Sequence, residues 1–153
     1  MVLINQLDEH NEGNILATTR YNVNEVIFIM QKEQKDLIDN IREYYNENFS
    51  NIKMSYTFIE EGEIKKLEEL IDKYKENDLI INLTGGKRIN SLTLLELSIK
   101  NNITAIYTDI KNKKIYTFKN KIELMDEEFE NLDINDIVNA AGGQILEDSS
   151  NLC

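Results

Sequence analysis

The chain contains no proline, a single histidine, His10, and a single cysteine at its last position, Cys153. A lone terminal thiol excludes an internal disulfide. It also leaves no Cys/His nucleophile pair, and no Ser/His/Asp set can be assembled around the one histidine. Long hydrophobic runs are missing too. No window approaches the ~18 unbroken apolar residues of a membrane span, and the N-terminus lacks a signal-peptide profile. The expectation is a cytoplasmic protein with no membrane partner. Positive charge is scarce: 17 Lys and Arg stand against 28 Asp and Glu, a net charge of −11. That balance argues against broad binding to duplex nucleic acid. The common nucleotide signatures are absent as well. No G-x-G-x-x-G follows the first apolar run, and no G-x-x-x-x-G-K-[S/T] occurs. The missing proline, beside abundant Asn, Ile, Lys and Glu, fits a nucleotide-composition bias of the source rather than a function.

What remains is a chain of 153 residues, 41% hydrophobic and 29% charged, the profile of one ordinary globular domain. Its most informative stretch runs from Asp78 to Leu92, Asp-Leu-Ile-Ile-Asn-Leu-Thr-Gly-Gly-Lys-Arg-Ile-Asn-Ser-Leu. Residues 79–83 have the length and β-branched content of a buried strand. Thr84-Gly85-Gly86 then turns the chain into a helical pattern. Two glycines allow positive φ and a close backbone approach. The amides that follow belong to the first turn of a helix, where N–H groups lack partners and the macrodipole is positive. Lys87 and Arg88 add two charges at that end. Strand, glycine turn and basic helix start together make a phosphate-holding arrangement. The plainer alternative is a surface turn with a solvated basic edge.

Around this stretch, strands and helices alternate. Residues 2–5 read as a first strand, 6–13 as a polar loop, and 14–21 as a helix with Asn14 as its cap. Strand patterns follow at 25–30, 52–58, 79–83, 105–109 and 115–118. Helical spacing occupies 32–45, 64–74 and 88–101. A last helix is expected over 133–141, closed by Gly142-Gly143. The acidic run 123–130 reads as a solvated segment, and Tyr44 and Tyr45 as core and boundary residues. Such alternation predicts an α/β, Rossmann-like, mostly parallel sheet with helices on both faces in a single domain. Ligands of such sheets sit beyond the carboxyl ends of the strands, near a switch in strand order. The loop after the first strand and the glycine turn after the fourth both lie there, so a site made from both is expected. His10 with Asp8, Glu9 and Glu12 superficially resembles a metal-ligand group, but one histidine among loop carboxylates more simply makes a polar contact, and no metal or cofactor is expected. Asp109, at the end of the fifth strand, reads as a turn residue before a catalytic one.

The segment Asn82-Leu-Thr-Gly-Gly-Lys-Arg-Ile-Asn-Ser-Leu92 resembles the hallmark of CARF domains, the CRISPR-associated Rossmann fold. Their usual form is Asn-x-Thr-Gly-Gly-Thr-Lys-x-Met-Ser. Leu3 to Asn5 with Asp8-Glu9-His10 and Asn14 is similar to the polar first loop of CARF proteins that carry a nuclease domain. Tyr107-Thr-Asp109 and the 133–143 segment add support. The resemblance implies a sensor of cyclic oligoadenylate in type III CRISPR antiviral defence, most simply of cyclic tetra-adenylate held across a homodimer. It carries the ligand contacts onto Asn5, Gln6, Asp8, Glu9 and His10 of the first loop. Thr84, Gly85, Gly86, Lys87, Arg88 and Ser91 supply the second group. Lys87 stands where the family has a hydroxyl. Arg88 stands at the lysine position, where a guanidinium can still meet a phosphate bidentately. Residues 1–143 would then be the sensing domain, and 144–153 a tail or the start of a linker to an effector domain. Two alternatives stay open: a metal-independent ring nuclease that positions a ribose 2′-hydroxyl against its phosphate, and a Rossmann-like protein-interaction domain.

Overall fold

The computed structural model describes residues 1–119 and, as backbone alone, 121–126. The helix expected over 133–141, the glycine pair after it and the 144–153 segment lie outside the described residues. Among the described residues, seven strands form one sheet in the order β3-β2-β1-β4-β5-β6-β7. β1 (Val2–Gln6), β2 (Glu25–Met30), β3 (Lys53–Phe58), β4 (Leu79–Asn82) and β5 (Thr104–Asp109) run parallel. β6 (Lys114–Lys119) and β7 (Lys121–Asp126) continue the sheet antiparallel. The fold is thus the expected Rossmann-like α/β sheet, mostly parallel.

The central strands β1, β2 and β4 are covered on both faces, which is why they read as unbroken apolar runs. Edge strand β3 alternates instead, with Tyr56 and Phe58 exposed. Helices α1 (Glu12–Arg20) and α2 (Lys35–Asn48) pack on one face, burying Ile15, Ala17, Ile38, Ile41 and Tyr45 against Leu3, Phe28 and Ile106. Helices α3 (Ile64–Tyr74) and α4 (Arg88–Lys100) cover the other, with Leu67, Ile71, Leu94 and Leu97 on Ile4, Ile81 and Ala105. None of the helices among the described residues is long and apolar enough to cross a membrane.

Two local expectations change. The first helix starts at Glu12, not residue 14. Asn14 is therefore no cap: it is buried in the first turn, where its amide donates to the Gln6 carbonyl at 2.8 Å and to Asn11 Oδ1 at 2.9 Å. Asn11 holds the N-cap position, and its own side chain is spent on the backbone of Asp8. The second change is β7, which occupies part of the run that reads as a solvated acidic segment. Its pairing with β6 supplies the backbone partners that the sequence pattern does not reveal.

Candidate functional site

Strand order reverses between β1 and β4, so the chain ends of these neighbouring strands open the crevice where parallel sheets accept ligands. Beneath that crevice lies a buried amide cluster. Asn82 Nδ2 donates to Asn5 Oδ1 at 3.1 Å, to Asn14 Oδ1 at 3.2 Å and to the Gly13 carbonyl at 3.3 Å. Asn5 is fully buried, and its Nδ2 has no hydrogen-bond partner. Unpaired buried donors are uncommon and are held by surrounding structure. Thr84 closes the other side: its Oγ1 accepts the Thr108 amide at 2.8 Å and lies 2.9 Å from Thr108 Oγ1.

Above this cluster, Gln6 ties the two carboxyl-end segments together. Its Nε2 donates to Ser91 Oγ at 2.6 Å and to the Gly85 carbonyl at 3.3 Å, while its Oε1 accepts the Lys87 amide at 3.3 Å. Gly85 and Gly86 take φ of 74° and 70°, the left-handed region that side chains disfavour. A Cβ at Gly86 would also come within 2.5 Å of the Gln6 side chain, so this position requires glycine twice over. From the turn the chain enters α4, whose N-terminus carries no side-chain cap. Amides without partners, the positive end of the helix and two basic residues converge there.

Three carboxylates surround these donors. Asp8 Oδ2 accepts the Gly86 amide at 3.2 Å, and Glu33 Oε1 lies 3.6 Å from Lys87 Nζ. A hollow of about 220 Å³ opens between Asp8, Glu9, Gln34, Gly86 and Lys87. Arg88, the next residue along the chain, is exposed.

Of the residues singled out from the sequence, Gln6, Asp8, Gly85, Gly86, Lys87 and Ser91 are brought together by direct bonds. Glu9 borders the hollow. Asn5 and Thr84 form the layer beneath, held by their own network. His10 stands apart in solvent, 3.9 Å from Glu12. Gln31, Glu33 and Gln34 belong to the same hollow but are not visible as site residues in the sequence. Their only signal is that β2 neighbours β1, which places its carboxyl-end loop at the same edge. Asp109 is a turn residue: its carboxylate accepts from the Asn112 side chain at 2.8 Å and from the Asn112 amide, which hold its pKa below the usual carboxylate value. A larger hollow of about 610 Å³ lies over the β3 edge and α3. It lacks the glycine turn and uncapped helix start, so the chemistry points to the smaller one.

Fold and geometry together describe a Rossmann-like domain whose topological switch point carries a glycine turn and an uncapped helix start beside Lys87 and Arg88. No protein-family model and no curated protein matches the chain. Solved structures do. Can2 from Sulfobacillus thermosulfidooxidans, determined in complex with cyclic tetra-adenylate, superposes with a TM-score of 0.76 at 16% identity over 91% of this chain and 40% of its own. Protein VC1899 from Vibrio cholerae gives 0.75 at 15% identity, covering 91% and 38%. A type III CRISPR defence DNA nuclease activated by cyclic oligoadenylate gives 0.72 at 14%, covering 92% and 23%. This chain therefore shares the fold of one part of each larger protein and spans at most 40% of their length.

Proposed function

We propose that this chain is a CARF-type sensor domain that binds cyclic oligoadenylate, cyclic tetra-adenylate in the first instance, at a homodimer interface. One observation carries the reading. At the β1/β4 switch, Gln6 locks a positive-φ glycine turn so that an uncapped, basic helix start faces solvent. Phosphate is the ligand such an arrangement suits: backbone amides, helix dipole, Lys87 and Arg88 all act on one negative group. A protein of net charge −11 repels anions at long range, so affinity must come from these local donors. Support also comes from the structural neighbours, two of which are described with cyclic oligoadenylates.

The test is direct titration of the full chain with cyclic tri-, tetra- and hexa-adenylate, with the products analysed after incubation. Tightest binding to the tetramer without cleavage supports a sensor, while linear products would mark a ring nuclease. Arg88→Ala removes a charge-assisted phosphate contact, a loss of about 1.5–3 kcal/mol. Affinity should then fall at least ~10-fold. Stability should hold or rise slightly, because a cation in the first turn opposes the helix dipole. Unchanged ring binding in Arg88→Ala would reduce the glycine turn to a structural feature.

A further inference from the structure

We infer that the open edge of β3 is the docking site for an extended, acidic peptide segment of another protein, which adds to the sheet as one more strand. This inference goes beyond the proposed function and does not rest on it. β3 is the terminal strand of the sheet and pairs with β2 alone. Along a strand, the backbone groups of successive residues point to opposite sides. Lys53 gives its amide to the Asn24 carbonyl at 2.9 Å, and Ile59 gives its own to that of Met30 at 3.0 Å. The residues in phase with them, Ser55 and Thr57, therefore turn to β2. Met54, Tyr56 and Phe58 turn their N–H and C=O groups outward, where they meet no hydrogen-bond partner among the described residues. Native sheets ordinarily blunt such an edge with charge, proline or a bulge. β3 carries one charge, on Lys53 at its first position, and its register with β2 runs unbroken to Phe58. An unpaired row of donors and acceptors of this kind is what an incoming extended peptide completes.

Side chains on the two faces of β3 select the occupant. On the α2 face, Tyr56 is 39% and Phe58 38% exposed, with their rings edge-on at 5.6 Å and the Arg42 guanidinium 5.2 Å from the Tyr56 ring. An added strand sets every second side chain beside these rings, which suits apolar residues. On the α3 face, the small side chains of Ser55 and Thr57 leave open the hollow of about 610 Å³. Lys53, Lys66 and Lys73 line it, against two carboxylates, Glu25 and Glu69. Lys53 lies 4.0 Å from Glu25 and Lys66 3.0 Å from Glu63, whereas Lys73 lies over the Tyr74 ring at 5.4 Å. In a chain of net charge −11 this lining reverses the prevailing sign. The other set of side chains of the added strand enters here, and carboxylates complement it. The occupant is thus an extended segment that alternates apolar and acidic residues. A second copy paired through the same edge would instead bring two sets of lysines together.

The probe is a synthetic peptide of alternating valine and glutamate, six residues long like β3, titrated into the full chain and followed by amide NMR. Saturable binding should shift the amides of Met54, Tyr56 and Phe58 and slow their exchange with solvent. A peptide with lysine in place of glutamate should bind at least ~10-fold more weakly. Two acidic peptides N-methylated at opposite alternate amides should differ, one losing its pairing with the edge and the other keeping it. Tyr56→Pro removes an outward N–H without touching the bonds to β2, and should abolish binding. Lys73→Glu leaves the backbone edge intact and should weaken binding ~5-fold, which keeps the proposal open to refutation if Tyr56→Pro fails to fold. Absence of saturable binding overturns the proposal, as does equal binding of the acidic and basic peptides or of the two methylated ones. Amides of Met54, Tyr56 and Phe58 already protected from exchange in the free protein overturn it too, because a second copy or the chain's own residues beyond 126 then hold the edge. No arm contains a cyclic oligoadenylate, so failure here and failure of the proposed function are read separately.

Discussion

Gly86 and Gly62 both hold positive φ, 70° and 83°, but only Gly86 is pressed against another part of the chain. A Cβ at Gly62 meets nothing within 4 Å, whereas at Gly86 it strikes the Gln6 side chain. Gly62→Ala should therefore lose only the conformational term, about 1 kcal/mol. Gly86→Ala should lose roughly 2 kcal/mol or more, since Gln6 must also give up its bonds to Ser91 and the turn. Urea denaturation of the pair measures the difference, and equal losses would mean that the Gln6 clasp is slack. Asp8 makes a sharper test of the site. Its carboxylate occupies the Gly86 amide in the free protein, where a phosphate would need that donor. Asp8→Asn keeps an acceptor and removes a charge. A unit charge ~4 Å away is worth about 1 kcal/mol even at the dielectric constant of water. Cyclic tetra-adenylate should thus bind ~5-fold tighter by calorimetry, and weaker binding would count against phosphate at this turn. Residue types at the site were legible: the glycine pair, Lys87, Arg88 and the polar first loop stand out in sequence. The clasp was not. Gln6 looks like the start of a loop because its partner Ser91 lies 85 positions away, and no local pattern records such a pairing.

At the scale of elements, period and run length located the four α-helices and first six strands of the described residues to within a few positions. Boundaries shifted where side chains capture backbone groups, as Asn11 does for Asp8. β7 stayed hidden because its acidic residues interrupt the apolar pattern by which a strand is recognised, while its backbone pairs with β6. Helix α2 shows the reverse case, where a pattern predicts an attachment in detail. Tyr45, at helical spacing from Ile38 and Ile41, is buried with its ring edge-on to Phe28 at 5.6 Å. Its hydroxyl lies 2.6 Å from Thr18 Oγ1, which ties α2 to α1. Burial pushes the phenol's pKa well above the ordinary tyrosine value, an effect that the Thr18 hydrogen bond only partly offsets. An unfolded tyrosine ionises near pH ~10. The folded group stays protonated to higher pH, so its contribution is full below ~10 and is lost progressively as pH rises above it. Melting curves at pH 8 and 11 should show an alkaline loss of stability that is smaller in Tyr45→Phe. At pH 8 that variant should be less stable by about 1 kcal/mol for the lost hydrogen bond. An identical alkaline slope in both proteins would place the titration elsewhere.

For the molecule as a whole, the sequence pattern predicts the layers and a candidate site shared by the first loop and the glycine turn, whereas the strand order that sets β1 beside β4 is visible only in the structure. That adjacency follows from right-handed crossovers running one way through β2 and β3 and then returning past β1 to β4. It brings the first loop and the glycine turn, nearly 80 residues apart, into hydrogen-bond range at Asp8 and Gly86. A ligand that bridges them clamps both halves of the sheet, and binding then shows up as global stability. A ligand that binds only the folded state adds RT ln(1 + [L]/Kd), roughly 2.7 kcal/mol at a hundred-fold excess over Kd. For a domain of 153 residues that corresponds to a rise in Tm of about 5–10 °C. Cyclic tetra-adenylate should produce this shift. AMP, with one phosphate and no means of reaching a second donor set, should produce almost none at the same concentration. The gap between them measures how much affinity comes from holding several phosphates at once, beyond the attraction of any single anion to a helix start. If AMP and the ring shift Tm equally, the turn is a general anion hole, and the ring-sensing reading fails while the fold and its clasp remain.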